Sequence, residues 1–183
     1  GWPHHEPDWP GKFGAIPWAF AEIVRVLHRY ERVEVVCDSE EVRAQAVHHL
    51  GAHGVDLSRC GLHVIPTDRV WLRDSAPIAV LTPTEEVRLL SWGFNAWAKY
   101  DNWAQDAAIG PRIGAIADLP VEHPHTADGR RVVLEGGGIE VNGQGRLLVT
   151  EEWLLSDTQV RNPGFTRQDY EEVFARWLGV PAA

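Results

Sequence analysis

The stretch V-W-L-R-D-S-A-P-I-A-V, from Val70 to Val80, puts an acid where an extended run breaks. Trp71, Leu72 and Arg73 read as strand, Ser75-Ala76-Pro77 as a tight exit, and Asp74 stands at the hinge. About sixty residues on, Glu135-Gly136-Gly137-Gly138-Ile139-Glu140-Val141 lines up without a gap on Asp74-Ser75-Ala76-Pro77-Ile78-Ala79-Val80. Each copy is an acid, then small or turn residues, then Ile-x-Val. The chain repeats itself, and both copies end a strand in a carboxylate. Acids at equivalent corners of a repeated unit point toward a shared axis, where a cation can be held. The expectation is one cavity faced by both Asp74 and Glu135.

On the N-terminal side, G-W-P-H-H-E-P-D-W-P-G is a loop, because Pro3, Pro7 and Pro10 deny it regular helix. Phe20, Ile23, Val24 and Leu27 at helical spacing predict a helix over 16–30, with Pro17 in its first turn. A strand over 33–37 follows, then a helix capped by Asp38 or Ser39 that runs to Leu50 and is closed by Gly51. A second strand over 61–66 leads into the central stretch.

On its C-terminal side, Glu86 to Trp92 reads as a strand paired with Ile78 to Leu81, and a helical run from Trp103 to Asp118 is broken by Gly110 and Pro111. Short strands are expected over 119–122 and 131–135. A hairpin over 139–150 turns at Gly143-Gln144-Gly145, and a short helix over 151–156 follows. The clearest helix covers 166–178: Thr166 and Asp169 form a capping box, Gly179 ends it, and Tyr170, Val173, Phe174 and Trp177 make one apolar face. By this period a third strand and a third acid-bearing corner come next, and the sequence reaches Ala183 first.

With 183 residues, 44% of them apolar, the chain can bury one core and is most simply a single domain. A formal charge of -9, with fifteen Arg but two Lys, offers no basic stripe, so nucleic acid is not an expected partner. No apolar run approaches the roughly 20 residues of a membrane helix, and the first residues lack the pattern of a signal peptide. The expected location is the cytoplasm. A homo-oligomer is compatible with this composition. The absence of any Met, with Gly1 first, leads to the expectation of a piece of a longer polypeptide.

Cys37 ends V-E-V-V-C and reads as a core-strand residue; Cys60, in S-R-C-G-L, sits at a loop or strand start with no cue for a lowered pKa. The nine His are scattered without ligand spacing, so no metal site is expected.

An indole and a carboxylate on one side make a clamp for a flat, delocalised cation: the ring stacks on its face and the carboxylate accepts two parallel N–H bonds at its edge. Trp71 and Asp74 meet this way only if the strand ends or bends between them, since residues of opposite parity face opposite ways. A structural Arg73-Asp74 turn with Trp71 in the core accounts for the same spacing. Glu135 likewise reads either as a turn acid or as the counterpart of Asp74. Its glycine run is not a phosphate-binding fingerprint.

W-L-R-D-S-A-P resembles the W-x-R-D-x-G-P signature of the agmatine deiminases, and V-L-E-G-G-G-I-E-V-N-G-Q-G is similar to their E-G-G-x-I-x-x-N-G-x-G segment. W-P-H and D-W-P-G-K-F near the start, F-N-A-W in the middle, and T-E-E-W-L-L-S with R-N-P toward the end extend the likeness over nearly the whole chain. The family is related to the bacterial peptidylarginine deiminases. The resemblance implies an α/β fold, a pseudo-fivefold propeller (pentein) of ββαβ units. Residues 1–183 would hold roughly the first two to three of these, as one incomplete domain.

The implied reaction is hydrolysis of agmatine to N-carbamoylputrescine and ammonia through a Cys thiolate, within putrescine and polyamine metabolism and without cofactor. The implied catalytic residues are Asp74, which holds the guanidinium, and Glu135, which orients a His; Trp71 and Asp74 bind substrate. Two departures stand out. Ala76 replaces a Gly of the signature, and the chain contains neither an H-x-D motif nor a Cys in a segment like the family's nucleophile. The alternatives are a peptidylarginine or other guanidino-group deiminase and, in another class, a non-catalytic binding protein on the same fold.

Overall fold

Pro17 in the first turn and the apolar spacing that follows produce helix α1 (Ile16–Leu27), which buries Ala21 and Val24. Strand β1 (Val33–Cys37) leads to helix α2 (Glu40–Ala52), whose N-cap is Ser39: its hydroxyl accepts the Val42 N–H at 3.3 Å. Gly51 does not close this helix. The chain turns at Gly54, in the left-handed region (φ 68°), and Val55 N–H caps Leu50 O at 3.0 Å. Strand β2 (Cys60–Val64) then pairs in parallel with β1, Val33 opposite Cys60 and Cys37 opposite Val64. Trp2, Ala21, Val24, Val35, Cys37, Ala46 and Leu50 fill the core between this pair and the helices. These elements make the first of two compact units, Gly1–Leu72; the second is Arg73–Ala183. The structure, a computed structural model, describes residues 1–180.

At the junction stands α3 (Leu72–Ser75), one helical turn where the sequence reads as strand. Four residues are too few for a period of two to be told from a turn, and Asp74 lies within the coil rather than at a strand end. The second unit continues with strands β3 (Ile78–Leu81) and β4 (Val87–Leu90), an antiparallel hairpin in which Ile78 faces Leu90. Helices α4 (Ala104–Ala107) and α5 (Gly110–Ala117) cross back to β5 (Val121–Glu122), which pairs in parallel with β4. Pro111 does not kink a long helix here; it sits in the first turn of a new one, where its missing N–H costs nothing.

Residues 131–135 do not form the expected strand. Val133 gives its N–H to Asn162 Oδ1 and its C=O to Asn162 Nδ2, both at 2.8 Å, so a side-chain amide takes the place of a neighbouring strand. Two isolated bridges remain, Val133 to Gly93 and Arg131 to His125, and Val132 and Leu134 are buried all the same. The second hairpin, β6 (Glu140–Val141) with β7 (Leu147–Leu148), leads into α6 (Glu151–Leu155) and α7 (Arg167–Leu178). Helix α7 has the capping box of Thr166 and Asp169, Gly179 in the left-handed region beyond it, and Tyr170, Val173 and Phe174 in the core with Leu90, Trp92, Val132, Leu134 and Leu154. Among the described residues, no helix is long and apolar enough to cross a membrane.

Candidate functional site

Asp74 and Glu135 line one cavity of about 420 Å³, in the second unit, together with Trp97, Gly137, Gly138, Trp153 and Arg161. Both acids lead into hairpins through a short coil, α3 before β3 and a 3-10 turn at Gly136–Gly138 before β6. The glycines permit close approach. A Cβ on Gly137 would collide with Asp74 Oδ1, and one on Gly138 with the Trp153 ring.

The Asp74 carboxylate is fixed at both oxygens by neutral donors. Oδ1 accepts the Gly137 N–H at 3.0 Å, and Oδ2 accepts the Trp97 indole N–H, also at 3.0 Å. A carboxylate has about four acceptor positions, so about two remain. Glu135 is 2% exposed and differently supplied. Its Oε2 accepts the Trp153 indole N–H at 2.7 Å, and its Oε1 takes the Arg161 Nε–H at 3.0 Å in a buried ion pair. Arg161 is itself held by an Nη1–H bond to Gln159 O at 2.8 Å. Two acids and one guanidinium leave this cavity a net single negative charge, which suits one monovalent cation.

Trp71 belongs to the first unit. Its indole N–H donates to Asp8 Oδ2 at 3.3 Å and its ring packs on Trp9 with centroids 5.2 Å apart, while Asp8 Oδ1 accepts from the buried Arg69 at 3.2 Å. The aromatic residues that share the acids' cavity are Trp97 and Trp153, which composition and repeat had not singled out. Their signal was in the text of the chain: F-N-A-W ends on Trp97, T-E-E-W on Trp153, and R-N-P begins on Arg161. What linked those segments to the acids is tertiary.

Neither cysteine has the surroundings of a nucleophile. Cys37 is fully buried, and burial pushes its thiol up to about 11; burial raises the Cys60 thiol as well. No group of three or more His, Cys, Asp or Glu among the described residues could hold a metal ion.

Comparison with known proteins agrees with this arrangement of motifs. The model of the Porphyromonas-type peptidyl-arginine deiminase family matches residues 1–183, and the chain belongs to that family. The agmatine deiminase of Stutzerimonas stutzeri is 30% identical over 98% of this chain and 46% of its own length. That of Pseudomonas fluorescens is 32% identical with the same coverage. The chain thus spans about half the length of the curated relatives it matches. Among solved structures, the agmatine deiminase of Enterococcus faecalis superposes with a TM-score of 0.81 at 27% identity, covering 98% of this chain and 47% of that one. The mixed α/β fold described above is the fold of these deiminases.

Proposed function

We propose that this chain carries the guanidinium-binding part of a deiminase that converts agmatine to N-carbamoylputrescine and ammonia. The observation that carries the reading is the shared cavity of Asp74 and Glu135, with a net single negative charge and two indoles. A guanidinium is a poor electrophile because its charge is delocalised. It has to be held by carboxylates while a thiolate attacks its carbon, ammonia leaves, and water releases the product. Asp74 accepts two N–H bonds from the substrate, and Glu135 supports a His that moves the protons. On the W-L-R-D motif alone, Trp71 is also proposed to bind substrate. The thiolate and the His come from outside this chain, because Cys37 and Cys60 are buried protonated thiols. The architecture we propose is a pseudo-fivefold propeller, of which residues 1–183 form part of one domain, working in the cytoplasm without cofactor.

The family description favours a second substrate, an arginine side chain within a peptide. Calorimetry of the chain with agmatine and with an arginine-containing peptide separates the two. Agmatine should bind more tightly, and a chain that binds neither overturns the guanidinium reading and leaves a non-catalytic binding protein. Ammonia release from agmatine by the chain alone should be absent. Release that disappears in Cys37→Ser or Cys60→Ser would place the nucleophile here instead. Iodoacetamide at pH 8 should leave Cys37 unmodified in the native chain.

A further inference from the structure

We infer that Trp97 is a positioning residue for Asp74, held in place by a left-handed turn whose strain is retained for that purpose; the inference rests on the guanidinium reading above. Ala96, Trp97 and Ala98 all have positive φ, at 48°, 61° and 50°. For residues with a Cβ each such conformation is strained, and three in succession persist only where the surroundings over-determine them. Those surroundings are present. Ala96 is fully buried, Asn95 Oδ1 accepts the Ala98 N–H at 3.0 Å, and the Trp97 ring meets Phe94 edge-on with centroids 5.2 Å apart. A regular right-handed turn at these residues would send the indole elsewhere. As built, the turn delivers the indole N–H to Asp74 Oδ2 while Gly137 N–H holds Oδ1.

One donor on each oxygen fixes the plane of the carboxylate, not merely its position. A guanidinium bound by two parallel N–H bonds depends on that plane. An ammonium, a compact charge with rotatable donors, depends on it far less. Trp97 therefore tunes the choice between the two cation shapes, through Asp74 and without itself supplying charge.

The test compares agmatine with 1,4-diaminobutane, which presents an ammonium in place of the guanidinium, by calorimetry on the chain and its variants. Trp97→Phe keeps the ring and removes the donor. It should weaken agmatine binding up to about tenfold, the ordering cost of a carboxylate no longer held in its plane, and leave the diamine within about twofold, so that the preference between the two falls. Equal loss for both cations, or no loss, overturns the inference.

A ligand-free measurement separates this inference from the guanidinium reading and does not depend on Trp97→Phe folding. The Trp97 indole N–H should exchange slowly with solvent in the native chain and many times faster in Asp74→Ala. An unchanged exchange rate overturns the positioning role even if agmatine binds. Slow exchange that Asp74→Ala accelerates upholds the role even if agmatine does not bind, which would defeat the guanidinium reading alone.

Discussion

The two acid corners of the second unit share a sequence plan and differ in what neutralises them. Asp74 is half-buried and bonded to an indole and a backbone amide, both uncharged. Glu135 is buried, bonded to an indole and to the Arg161 guanidinium. A carboxylate whose partners are neutral keeps its charge for a visitor; one already paired with a cation has spent most of its field inside the protein. The same aligned position in a repeat therefore serves two purposes. Asp74 is suited to bind a substrate cation, and Glu135 to stand as a fixed acceptor in the wall.

The largest expected effect breaks the internal pair. Arg161→Met should leave Glu135 as a buried, uncompensated charge and destabilise the chain by about 3–5 kcal/mol, the usual cost of removing one partner of such a pair. Chemical denaturation measures it. A loss below about 1 kcal/mol would mean that Glu135 is no more committed to the protein than Asp74 is, and the contrast would vanish.

Asp74→Asn probes the other corner. The amide loses the charge and one acceptor, so guanidinium binding should weaken by about 2–5 kcal/mol, roughly 30-fold to several thousand-fold, and stability should fall by about 1–3 kcal/mol because the new NH2 faces either the Gly137 or the Trp97 donor. In the same calorimetric assay Glu135→Gln should be the reverse, costing more in stability than in affinity. Affinity unchanged by Asp74→Asn would remove the assignment.

A smaller effect sharpens the geometry. Gly137→Ala places a methyl group against Asp74 Oδ1 and pushes apart the backbone donor and the carboxylate, for about 1–3 kcal/mol. Gly143→Ala, in the second hairpin turn with nothing within 4 Å of the added carbon, is the control, and its cost is only that of a positive φ. Agmatine affinity should fall in the first variant and not in the second.

Much of the secondary structure was legible because local chemistry writes it down. The helix over 167–178 carries its own cap, face and stop, and the βαβ run from Val33 to Val64 is punctuated by Ser39 and by turn residues. The misreadings fall where local pattern is outvoted. Leu72 and Arg73 coil although they look extended, and 131–135 stay outside the named strands because Asn162, about thirty residues on, satisfies Val133. Trp71 read naturally as the aromatic partner of Asp74 on proximity in sequence, whereas the indoles bonded to the two acids come from Trp97 and Trp153.

By itself the sequence determined the family and marked Asp74 and Glu135 as candidates, since these are patterns of residue type at fixed spacing. Only the tertiary structure decided which acid is neutralised and by what. Charge pairing acts over a few ångströms in space, and Arg161, Trp153 and Trp97 reach that distance through folds of chain whose length carries no sign of the encounter.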